Sequence, residues 1–276
     1  MIRWLRMRQL ARPRQAHRSG AGYTITETLI VLAVTTVMFT AVALLFSGRQ
    51  ARTEFTQAVR DFEGRLETLI SEVVNGHYSS NGFKCIPSAS GPPAITATPG
   101  NTGSSEDCIF VGKVIQADPS LTSSKILTLI GRRTVSVNNS DNVNSMTEAQ
   151  PVVATAVDFN YNHNFQLELE RFLTLDTNTE IAAIGFINKF SRGVNTSGSG
   201  NADLVDLYGL LGPAGTDLTP TANRVNLASF NELTRGVRVC LHGQNNQRAE
   251  ITIGANGNPT SLVSTLDTRM VGPCSV

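Results

Sequence analysis

Four cysteines carry the most evident chemistry in this chain: Cys85, Cys108, Cys240 and Cys274. A structural zinc site draws its thiolates from close pairs, typically C-x-x-C, and no such pair occurs. An even number of widely spaced cysteines predicts disulfides instead, and disulfides predict an oxidising compartment outside the cytosol. Four cysteines allow three connectivities. The histidines, His17, His77, His163 and His242, are scattered, and His163 within Tyr161-Asn162-His163-Asn164 reads as a turn residue. The sequence contains no G-x-x-x-x-G-K-[ST] loop, no H-E-x-x-H helix and no G-x-S-x-G elbow. We therefore expect no catalytic residues, no metal and no cofactor, and a protein that is not an enzyme.

Glu27 stands apart for a different reason. It is the single charge in the run 25–46, ITETLIVLAVTTVMFTAVALLF. A helix of that length spans about 33 Å, enough to cross a hydrocarbon core. An ionisable group in such a helix is costly and points to a function with a partner, although an acid near the helix start also suits the macrodipole. Residues 1–22 hold six arginines and no acid, so they are expected to stay cytoplasmic and send the rest of the chain across the membrane. The remaining residues carry 17 basic and 22 acidic side chains. A mildly acidic body is a poor polyanion binder, and no nucleic-acid partner is expected. The small basic clusters Arg132-Arg133 and Arg235 with Arg238 read as surface charge.

The apolar run is longer than the core of a secretory signal peptide, and no A-x-A-like cleavage site follows it. The junction before it reads Ala21-Gly22-Tyr23-Thr24-Ile25-Thr26-Glu27. A glycine, an aromatic and a glutamate five places after the glycine, set between a basic leader and an apolar helix, resemble the class III signal of prepilins. Tyr23 stands where many members have Phe, and the resemblance covers about residues 18–60. It implies removal of a 1–22 leader by a membrane prepilin peptidase that cuts after Gly22 and methylates the new amine of Tyr23. It also implies that Glu27 pairs with the terminal amine of a neighbouring subunit during assembly.

Helical periodicity continues beyond the run. Apolar residues recur at Phe55, Val59, Phe62, Leu66, Leu69, Ile70 and Val73, three and four apart, with charges between them. No proline interrupts residues 23–86, and Asn75-Gly76 is a stop signal. The pattern predicts one helix from Tyr23 to about Val74, within a segment 23–78 whose part 25–46 is transmembrane. This shape resembles the pilin stalk.

From residue 79 to 276 the composition shifts to Ser, Thr, Asn and Gly. Residues 86–107 read as a low-apolar loop. Strands are expected at Cys108–Ile115, Ile126–Ile130 continuing into Thr134–Val137, Ala156–Tyr161, Phe165–Leu169, Ile181–Ile187, Leu204–Leu210, Arg235–Leu241 and Arg248–Ile253, with a short helix within Asn223–Leu233. Pairing neighbours would join Cys85 to Cys108 and Cys240 to Cys274, and the second bond looks like the carboxyl-terminal disulfide loop of many pilins. The expected fold is α+β, a long helix packed on an antiparallel, disulfide-stapled head.

These readings imply a minor pilin or pseudopilin of a type IV pilus or type II secretion-type filament. Its partners would be the prepilin peptidase, other pilin subunits and the inner membrane. It would be a single-pass membrane protein with the head outside the cytoplasm, in a cell-surface or periplasmic filament. The alternative is a surface-anchored binding or adhesive module that uses the helix only as an anchor.

Overall fold

The computed structural model describes residues 23–76, 84–86, 88, 91–96, 108–136, 139–155, 159–190, 204–219, 224–266 and 274. The leader 1–22, with Gly22, and His77 lie outside the described residues. The chain divides into two compact units, Met1–Arg49 and Gln50–Val276. The amphipathic part of the helix thus belongs to the same unit as the sheet.

Helix α1 covers Ile25–Val74. Within the second unit its buried face is the periodic apolar set: Phe55, Ala58, Val59, Phe62, Leu66, Leu69, Ile70 and Val73. The helix ends where a residue without Cβ is needed. Gly76 has φ of 65° and its N–H donates to the Val73 carbonyl at 3.0 Å, so the chain turns in the left-handed region that glycine enters freely.

The strands follow in chain order as β1 (Lys84–Ile86), β2 (Ala94–Thr96), β3 (Cys108–Ala117), β4 (Ser123–Arg132), β5 (Thr134–Ser136) and β6 (Asn139–Asn142). A one-turn helix, α2 (Met146–Ala149), precedes β7 (Val152–Val153), β8 (Phe159–Asn162), β9 (Glu168–Thr174), β10 (Glu180–Asn188) and β11 (Val205–Leu211). The last are β12 (Phe230–Glu232), β13 (Val237–His242), β14 (Arg248–Ile253) and β15 (Leu262–Leu266). Eleven form one antiparallel sheet in the order β15-β14-β13-β9-β10-β3-β4-β7, with β11 and β12 branching from β10 and β8 from β4. The pairs β1–β2 and β5–β6 stand apart. The fold is α+β, with a large antiparallel sheet.

Strand β10 is the junction. Glu180 and Ile181 pair with β9, residues 183–187 then pair with β3, and its other edge carries β11 across a bulge between Ile181 and Ala183. It is buried on both faces, and its sequence, EIAAIGFIN, is accordingly a nearly continuous apolar run. In β13 and β14 one face is apolar, with Val237, Val239, Leu241, Ala249, Ile251 and Ile253 in the core that holds the helix. The reverse face carries ion pairs, Arg238 with Glu250 at 2.7 Å and Arg248 with Glu170 at 3.8 Å. That alternation is the period-two signature of a strand with one wet side.

The sheet closes on both flanks of the helix. On one, Ser264 Oγ of β15 donates to Glu63 Oε2 at 3.1 Å. On the other, Asn164 Nδ2 donates to Asp61 Oδ2 at 3.0 Å, and the Arg65 guanidinium lies over the Phe159 ring at 5.3 Å. The Lys113 ammonium of β3 also bonds the Glu72 carboxylate, near the helix end.

Several expected elements differ. The strand expected at Phe165–Leu169 begins only at Glu168, because Phe165 and Gln166 both have positive φ, 53° and 54°, and form a turn closed by Leu167 N–H to the Asn164 carbonyl at 3.1 Å. The helix expected within Asn223–Leu233 is not formed over its described residues, 224–233. Residues 227–229 turn and Phe230–Glu232 joins β11, where Phe230 buries its ring on the sheet. The loop 86–107 contains β2, paired with β1 through Cys85 opposite Ile95. The expected extensions at 137 and 156–158 lie outside the described residues.

Candidate functional site

The residues singled out for function fall in two places: the start of α1, and the cysteines of the second unit. Thr24 sets the helix start. Its carbonyl accepts from Glu27 N–H at 3.0 Å and Thr28 N–H at 3.1 Å, and its Oγ1 accepts from Glu27 N–H at 3.3 Å, as an N-cap does. Glu27 thereby sits in the first turn, near the positive end of the helix dipole. Tyr23, immediately before, is 79% exposed.

Ile25–Ala43 is long and apolar enough to cross a membrane, and none of it is buried within the structure. Glu27 is its only charge. Its threonines do not leave polar groups free. Thr28 Oγ1 donates to the Ile25 carbonyl at 2.8 Å, Thr35 to Val31 at 2.9 Å, Thr36 to Leu32 at 2.7 Å and Thr40 to Thr36 at 2.5 Å. Each of these four hydroxyls is satisfied by its own helix, and Thr26 bonds the Thr24 hydroxyl at 3.0 Å, which is what an apolar surrounding requires. The segment thus presents side chains such as Leu29, Leu32, Val37 and Phe39 outward over its length. An apolar surface of that extent needs a cover of lipid or protein.

The cysteines form two disulfides, Cys85–Cys108 and Cys240–Cys274. The first fastens the β1–β2 pair to the start of β3, where Cys108 packs with Ile130 and Ala154. The second brings residue 274 onto the reverse face of the sheet beside Leu173. There Arg248 Nη1 donates to the Cys274 carbonyl at 2.5 Å.

His163 is more than a turn residue. Its Nε2 is 2.9 Å from Ser124 Oγ, and its ring meets Phe62 edge-on with centroids 5.5 Å apart. Burial pushes its pKa down, outweighing the Leu167 and Leu121 backbone groups, which favour the protonated ring. Serine beside histidine can make a nucleophile, but Ser124 is wholly buried, so this pair ties β4 and β8 to the helix. Arg132 is likewise no surface charge. It is buried, and its Nε donates to the Glu148 carbonyl at 2.5 Å. Arg238 is held by Glu250 and by Asn178 Oδ1 at 2.7 Å. Basic pairs in a sequence carry no sign of which strand face they take, so this role was not readable there.

Among the described residues, no three His, Cys, Asp or Glu side chains converge as a metal site would require. Compared with protein-family models, curated proteins and solved structures, the chain matches none.

Proposed function

We propose that the chain is a filament subunit of the type IV pilin class, a minor pilin or pseudopilin, made with a basic leader and assembled through α1. The observation that carries the reading is Glu27, the lone charge of an exposed apolar helix, five residues after the Gly22 of a prepilin-like junction.

In this account a prepilin peptidase cuts the Gly22–Tyr23 bond, and the Tyr23 amine becomes the new terminus and is methylated. The apolar half of α1 rests in the membrane. On assembly it exchanges lipid for neighbouring helices, a step in which the apolar side chains keep an apolar surrounding and packing decides. Glu27 then meets a neighbour's terminal amine. An unpaired carboxylate there would be strongly unfavourable, so the pair selects the correct longitudinal position of one helix against the next. The sheet-bound half of α1 carries the disulfide-stapled head outside the cytoplasm.

The test is Glu27→Ala in the cell of origin, following membrane insertion and filament recovery separately. Normal insertion with loss of incorporation supports the reading. Unchanged incorporation overturns it and leaves a simple membrane anchor carrying a head.

A further inference from the structure

A cavity of about 210 Å³ opens between the helix and two loops, lined by Glu54 and Phe55 of α1, Phe165 and Gln166 of the 164–167 turn, and Gln244 and Gln247 after β13. Two features set it apart. Gln247 is buried, 7% exposed, yet its Oε1 has no hydrogen-bond partner among the described residues. A buried acceptor left unpaired is costly and calls for a donor from elsewhere. Second, the turn that brings Phe165 to the rim holds two successive non-glycine residues at positive φ, where Asn-Gly is the usual choice. The turn delivers Leu167 to the core, but Phe165 itself remains 45% exposed. A strained turn that also holds an aromatic ring at a cavity rim in solvent is the kind of outlier that marks a binding site.

We infer that this cavity binds one neutral pyranose ring. The chemistry is read from its walls. No lysine or arginine lines it and Glu54 does, which disfavours anions, while a single carboxylate is too few for a metal ion. The Gln166, Gln244 and Gln247 amides both donate and accept, and a carboxylate accepts only, which together match a ring of hydroxyls. The exposed Phe165 face carries the partial negative charge that attracts the C–H edge of a sugar ring, while Phe55, 5% exposed, floors the cavity. Phe55 is fixed in place because Gly243 lies against it: a Cβ there would sit 2.2 Å from the Phe55 ring. The volume exceeds that of one or two waters and falls below that of drug-sized ligands, in keeping with a single sugar ring. The inference does not rest on the filament reading.

A pyranose can be presented by a polysaccharide or by a glycolipid headgroup. The full chain in a polyoxyethylene detergent, which carries no sugar, is titrated with methyl glucoside, galactoside, mannoside and N-acetylglucosaminide at millimolar concentration by saturation-transfer NMR. In parallel, the chain is assayed on phosphatidylcholine vesicles with and without a monoglycosyl diacylglycerol. Saturation transfer from a soluble glycoside supports the site and a polysaccharide source. Binding only to the glycolipid vesicles supports the site and a lipid source. In either case Gln247→Leu and Phe165→Gly should each weaken binding at least about threefold. Phe165→Gly should melt no lower than the parent, because it relieves the strained turn. No signal from any probe, or binding unchanged in both variants, overturns the inference.

Discussion

Replacing Cys240 and Cys274 together by alanine removes one cross-link and adds no buried hydroxyl, as serine would in positions so fully buried. The bond spans 34 residues, for which the chain-entropy relation gives about 3.8 kcal/mol at 25 °C. The Cys85–Cys108 bond spans 23, for about 3.4 kcal/mol. The two sit in separate clusters, one with Ile130 and Ala154 and one with Leu173, so their losses should add. For a unit of this size each kcal/mol moves the melting temperature by about 2–4 °C, so either double variant should melt roughly 7–15 °C lower. Circular dichroism melts of the full chain without reductant measure this. A shift below about 2 °C in both variants would refute the argument that these bonds constrain the unfolded chain.

Three further outcomes follow from the same geometry. Lys113→Met strands the part-buried Glu72 carboxylate and should cost about 1–2 kcal/mol in denaturant unfolding, of which the double change with Glu72→Leu should recover more than half. Gly64→Ala should stabilise the chain by about 1 kcal/mol, since a Cβ there meets nothing within 4 Å and glycine is a poor helix former. His163 has a lowered pKa when folded, so the unfolded state binds its proton first as pH falls. Stability should therefore be fully present above the unfolded value of about 6.5 and decline below it, by up to about 1.4 kcal/mol per pH unit, until the folded pKa is reached. His163→Phe should flatten that part of a urea-midpoint profile.

Helix α1 was readable because two signals agree along it. The three-and-four spacing from Phe55 to Val73 names the face that the sheet covers, and Asn75-Gly76 names the stop. Strands β3, β10, β11 and β14 were readable from β-rich runs between turn clusters. The failures have a common cause in tertiary contact. Phe165 and Leu167 alternate as a strand would, but the left-handed turn between β8 and β9 takes them, at a local cost no propensity foresees. Residues 223–233 look helical in isolation, yet Phe230 gains more by closing over Gly185, where its ring comes within 2.4 Å of where a Cβ would stand. Strand β15, Leu262–Leu266, was not expected: none of its residues is buried, and it is held by pairing with β14. Gln247 gives no sequence signal, because an amide's burial without a partner is a property of three distant segments meeting.

The central claim, that α1 begins a processed filament subunit, is tested most directly at its first residue. The intact mass and amino-terminal sequence of the protein should be measured from its native membrane or shed-filament fraction. The account predicts a chain that starts at Tyr23 and is heavier than its sequence by one methyl group. A chain still starting at Met1, or one cut after residue 46, would contradict it.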